Sequence, residues 1–253
     1  MGHSFRGALL AGAAAVGVAV AVSAQTGSMP GDPRGVGNVQ GNANGNSPSC
    51  PVSYATLKDE LGVAAANDST GLNNDYWAVV VNRQGVVCAV AYSGERRDSQ
   101  WLLSRQIAAA KAFTANGLSL DAAPLSTGQL YAWVQPGPMP GNPLFGLAAG
   151  NPVDPEAAYQ GAYQQFGTRN DPMVGERVGG TITFGGGLGL YDGVNAVGGL
   201  GLSGDTACAD HSTAWRLRNR LNMRPAVGDD RIDLDNPGGH PRCPNDEDTR
   251  GAF

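Results

Sequence analysis

Residues 77 to 92 read WAVVVNRQGVVCAVAY, two apolar, β-branched runs separated by Arg83-Gln84-Gly85. This stretch constrains the fold most. Such runs around a short glycine turn form a β-hairpin, and a lone hairpin is stable only once further strands or a helix cover its apolar face. A helix over residues 53–66 precedes it, with Leu57, Leu61 and Ala64 at helical spacing. A second helix follows over residues 99–113. Trp101, Leu102, Ile107, Ala108, Ala109 and Ala112 supply its buried side, and Asp98 or Ser99 its cap. GGTITFGGGLGLYD and NAVGGLGLSGD then read as two or three strands turning at Asp192-Gly193. Asp205 or Thr206 caps a last helix that ends near Leu221. The order of elements predicts an α+β domain, an antiparallel sheet with helices on one face.

Between these regular parts, residues 117–180 have every apolar run broken by proline or glycine. A loop insertion of that length is usually functional. Its aromatics Tyr131, Trp133, Phe145, Tyr159, Tyr163 and Phe166 are expected to pack on the domain or on a ligand. Glycines inside the late strands mark places where backbone approaches backbone or a flat ligand.

The ends carry a different message. Arg6, an uncharged run over residues 7–22 and Val22-Ser23-Ala24 have the layout of a secretory signal peptide cleaved after residue 24. Residues 25–49 are a flexible Gly/Asn-rich leader, residues 50–223 one domain, and residues 224–253 a polar tail expected to wrap the surface. Without Arg6 the 17 basic residues become 16 against 22 acidic ones, a net charge of −6. That balance argues against nucleic-acid binding, and no basic amphipathic stretch marks a membrane-surface protein. The expected location is periplasmic or secreted. Cys50, Cys88, Cys208 and Cys243 would then form two disulfides, with three pairings open. Closing the longest loop favours Cys50 with Cys243, leaving Cys88 with Cys208. The rival reading keeps Cys208 free as a ligand.

Few residues carry obvious chemistry. There is no GxSxG elbow and no P-loop lysine. Apart from His3 in the signal, only His211 and His240 are present. Cys208, His211 and Trp215 are spaced to share one ridge of the last helix, with Asp210 available to support His211. As a bare pattern, His211 reads as a half-buried histidine on a packing seam or as a metal ligand. Arg105 and Lys111 on the second helix read by default as solvated, or as partners for a carboxylate or a ligand propionate.

Taken together, WAVVVNRQGVVCAVAYSG, SRQIAAAKAFTANGLS and the pair GGTITFGGGLGLYDG and NAVGGLGLSGDTACADHSTAW resemble the GlcG/HbpS-type haem-binding family over about residues 53–221. The resemblance implies a profilin-like antiparallel sheet flanked by helices, frequent assembly into homo-oligomers, and haem or a related tetrapyrrole as ligand. The insertion at 117–180 and the cysteines depart from the family pattern. The function implied is that of an exported haem-binding protein without turnover. The alternative is an enzyme or accessory subunit acting on haem or a small organic acid. Cofactor-binding candidates are His211, Cys208, Trp215, Tyr131, Lys111 and Arg105. His211 is the expected metal ligand, because His240 lies in the tail. Its competitors are Cys208, Tyr131, Met139 and Met173, and affinity should weaken below about pH 6.5.

Overall fold

In the computed structural model, the described residues are 49–137, 142, 144–235 and 239–243. The residues read from sequence as a signal peptide (1–24), nearly all of those read as a leader (25–49), and Met139 lie outside them.

Helix α1 spans Tyr54–Ala66, with Ser53 accepting the Thr56 amide as its cap. Its stripe of Leu57, Leu61 and Ala64 is fully buried, as the spacing predicts. Each such leucine contributes about 2 kcal/mol of transfer free energy. The hairpin follows as β1, Trp77–Asn82, and β2, Val87–Tyr92. Gly85 closes its turn at φ 75°, a conformation glycine adopts without strain. Strands β3, Gly187–Asp192, and β4, Asn195–Ser203, form a second hairpin. The four strands make one antiparallel sheet in the order β2-β1-β4-β3. Val79 is opposite Val90 on one side and Gly201 on the other.

The sheet is covered on both faces, so the expectation of helices on one face is corrected. Ala78, Val80, Leu188, Leu190, Leu200 and Leu202 form one core with α1 and with α6, Ala207–Arg220. Trp77, Val79, Val81 and Val90 point the other way, onto α2, Ser104–Leu118. The alternation of side chains along each strand produces this division. Helix α2 sits close because β4 presents glycine to it. A Cβ on Gly199 or Gly201 would fall 2.2 Å from the Ala112 carbonyl or 2.0 Å from that of Ala108. The strand glycines are thus the backbone approach that the sequence implies.

Helix α2 begins five residues later than expected, with Leu103 in the cap position and no side-chain cap. Ser99, expected to cap it, instead bonds the Asp75 carboxylate and the Tyr92 hydroxyl, while Asp98 pairs with Arg96. Trp101 and Leu102 are left exposed rather than buried. Tertiary partners for Ser99, and a local surface pairing for Asp98, outweigh a helix start at residue 99. The residues TITF at 181–184 also form no strand.

The insertion over 117–180 is built from short turns: α3, Tyr131–Val134; α4, Leu147–Gly150; α5, Pro155–Tyr159; and a 3-10 turn, Tyr163–Gln165. Part of it is core, since Ala158, Phe166, Met173 and Val178 pack with the α2 face of the sheet. Glu176 and Gly175 exchange backbone bonds with Val87. Phe166 packs on the domain, while Trp133, Phe145 and Tyr163 are exposed.

Both predicted disulfide pairings are corrected. Cys50 is bonded to Cys88, and Cys208 to Cys243. The favoured pairing rested on Cys50 and Cys243 flanking the domain and on loop length, whereas the fold sets Cys50 beside β2 and the tail beside the start of α6.

Candidate functional site

Three successive glycines leading into β3, Gly185 to Gly187, organise the chemistry. The Gly185 amide donates to His240 Nε2 at 3.2 Å. The Gly186 amide donates to His211 Nδ1 at 3.3 Å, and the Gly187 amide to Thr127 Oγ1 at 2.9 Å. The GGGLGL segment is therefore an amide donor row rather than a nucleotide loop. Acceptance by a ring nitrogen requires it to be unprotonated, which fixes the tautomers. His211 carries its proton on Nε2. His240 carries it on Nδ1, which donates to the Pro241 carbonyl at 2.8 Å.

Both imidazoles are held neutral. Burial drives His211 well below its ordinary value, and the cations Arg218 and Lys111 add to the effect. Burial also lowers His240, against its bond to the Pro241 carbonyl. Neutral imidazole is the form that binds metal.

Beneath the glycines lies a buried ion pair. Lys111 Nζ donates to Asp210 Oδ2 at 2.6 Å and to the Leu202 carbonyl at 2.9 Å. Burial lowers the Lys111 ammonium and raises the Asp210 carboxyl to about 6, each opposed by the attraction between them. The lysine also lies 4.8 Å from the centre of the Phe184 ring. Arg105 is buried as well: it grips Asp171 through both terminal nitrogens and lies 3.9 Å from the centre of the Phe166 ring. The default reading of Lys111 and Arg105 as solvated is thus corrected. Six residues apart on one helix, they enter two separate buried sites, and both are engaged by carboxylates of this chain.

The remaining candidates divide in the same way. Cys208 has its sulfur in the disulfide to Cys243. His211 has no exposed surface, so the expected half-buried histidine is fully enclosed. Its ring lies 6.3 Å from that of half-buried Trp215. Asp210, expected to support His211, is engaged by Lys111 and the Asp205 amide. Tyr131 is 5.1 Å from His240, ring centre to ring centre.

His240 is the residue the sequence reading set aside. It lines a cleft of about 690 Å³ with Leu118, Leu130, Trp133, Leu144 and Arg231. That size is within the ~300–1,000 Å³ usual for small-molecule sites. The tail delivers it there because Arg218 holds Asp230 at 2.5 and 2.8 Å and Cys243 is bonded to Cys208. The one sequence signal was the even cysteine count, which ties the tail to the domain. A smaller hollow of about 490 Å³ lies by Arg83, Tyr191 and Met223.

A family model described as "Haem degrading protein HbpS-like" matches residues 55–217. The chain is also similar to Klebsiella pneumoniae protein ORFY, a crystal structure, with 23% identity over 68% of this chain and 90% of that one, at a TM-score of 0.44. The crystal structure of a PduOC–haem complex aligns with 24% identity over 68% of this chain and 96% of that one, also at a TM-score of 0.44. No curated protein matches.

Proposed function

Since this chain belongs to the HbpS-like haem-degrading protein family, whose model spans its sheet and helices, we propose that it binds haem or a related tetrapyrrole in the cleft lined by His240 and Trp133. The observation that carries the reading is a neutral imidazole in the wall of a cleft with an apolar side of Leu118, Leu130, Trp133 and Leu144. Haem would supply an iron that an imidazole can ligate. His240 would offer Nε2, which in this structure accepts the Gly185 amide. Leu118, Leu130 and Trp133 offer apolar surface to a macrocycle; Arg231, also in the lining, is paired with Asp229, and a propionate would have to displace that carboxylate. His211, the ligand expected from sequence, supports this arrangement from behind: it orders the Gly185–Gly187 segment through Gly186. Tyr131 backs the His240 ring. In this reading Lys111 and Arg105 hold the frame, and Trp215 packs α6.

The same proposal includes export. All four cysteines are paired, which favours an oxidising compartment, and no helix among the described residues is long and apolar enough to cross a membrane. Mass spectrometry of the exported protein should find a start near Gln25. Retention of Met1 would contradict that part.

The binding claim is tested by titrating the oxidised protein with haemin. The expected result is a saturable Soret band for wild type, with at least a tenfold affinity loss and a shifted band for His240→Ala. A curve for His240→Ala that superimposes on wild type would overturn the assignment.

A further inference from the structure

The disulfide that anchors the tail has a histidine beside it. Cys208, Cys243 and His240 each offer one ligand atom, and these atoms all lie within 4.8 Å of one another. Cys208 occupies the second position of α6, after the Thr206 cap, where the helix dipole favours thiolate over thiol. His240 and Cys243 follow one another on the tail as H-x-x-C, a short spacing that lets one segment supply two ligands. Two sulfurs and one imidazole nitrogen form a soft donor set, suited to zinc and other thiophilic cations rather than to calcium or magnesium.

We propose that reduction of the Cys208–Cys243 disulfide converts this corner of the protein into a Cys₂His site for a thiophilic divalent cation, zinc being the simplest occupant. The chemistry balances as thiol–disulfide exchange followed by metal binding. A dithiol reductant gives two electrons and two protons to the S–S bond, and its own sulfurs close to a disulfide. The two protein thiols then release their protons to solvent as the cation binds both thiolates. The neutral His240 adds the third bond without releasing a proton. A fourth position stays open to water, the arrangement of sites with three protein ligands. The structural role of the disulfide passes to the metal: either one ties the tail, with Asp230 and Ile232, to α6 and the cleft. Exchange between them would keep the tail docked in both redox states. This inference does not depend on haem binding, although both use His240.

Cobalt(II) is the probe, because thiolate and tetrahedral ligation both leave marks in its spectrum. The mature full-length protein is reduced with a dithiol, desalted without oxygen and titrated with cobalt, then with zinc, in the absence of haem. The expected result is one cobalt per chain, with thiolate charge-transfer absorption and intense visible bands that zinc abolishes. The oxidised protein should show none of this. Cys243→Ser should lose the charge-transfer signal, and His240→Ala should weaken binding at least tenfold. The inference is overturned if the reduced protein gives no thiolate band, if Cys243→Ser matches wild type, or if reduction unfolds the chain and metal does not restore it. Haemin titration of the oxidised protein is a separate measurement, so the two readings fail independently.

Discussion

At the scale of single residues, stability rests on charges buried far from their chain neighbours. Arg105 and Asp171 are 66 positions apart, and neither is in contact with bulk water. Breaking such a pair strands a charge and costs about 3–5 kcal/mol, whereas replacing both partners with apolar residues is often neutral. Asp171→Ala should therefore lower the urea midpoint steeply, and Arg105→Met with Asp171→Leu should recover most of the loss. Equal midpoints for the two variants would contradict this. His211 makes a pH-dependent contribution. Its folded pKa is well below 6.5, so unfolding takes up a proton once the pH drops beneath about 6.5. That stability is complete above 6.5 and is lost as the pH falls. Asp210 acts in the opposite sense. Raised from 3.8 to about 6, it contributes stability that is full below 3.8 and lost as pH rises through 6. Between pH 7 and 6 the histidine effect should dominate. Urea unfolding there should show wild type weakening as acid is added and His211→Asn weakening less. The same slope in both would refute the account.

At the scale of elements, the contact between α2 and β4 is decisive. Gly201 leaves no room for a side chain against the Ala108 carbonyl, so Gly201→Val should cost about 1–3 kcal/mol or more by overpacking. Thermal denaturation with the same midpoint as wild type would show that the helix can move away freely. This contact also marks what could be read from the chain. Helix α1 was legible because Leu57, Leu61 and Ala64 keep one period. The first hairpin was legible because β-branched residues flank a single glycine turn, and α6 because Thr206 precedes a helical stripe. The start of α2 was not, since Ser99 has the chemistry of a cap but finds better partners in Asp75 and Tyr92. The buried fate of Lys111 and Arg105 was not, since their carboxylates lie 99 and 66 positions away. Of the candidate site, the position of His211 on α6 was legible, whereas His240, in a tail of prolines and glycines, carried no periodic signal.

At the scale of the whole molecule, two covalent ties join the segments flanking the domain to its sheet and helices. The Cys50–Cys88 bond fixes the segment before α1 to β2, and the Cys208–Cys243 bond carries the tail across to α6. Peptide mapping of the unreduced protein should recover these two pairs, and a Cys50–Cys243 peptide would contradict the tail's path. With the tail in place, His240 reaches the cleft and the Gly185–Gly187 amides reach both imidazoles. The most direct test of the central claim is a crystal structure of the oxidised protein with haemin. The expected result is a tetrapyrrole between Leu118, Leu130 and Trp133, with its iron on His240. A macrocycle in the hollow by Arg83 and Tyr191, or iron ligated by any other side chain, would contradict it.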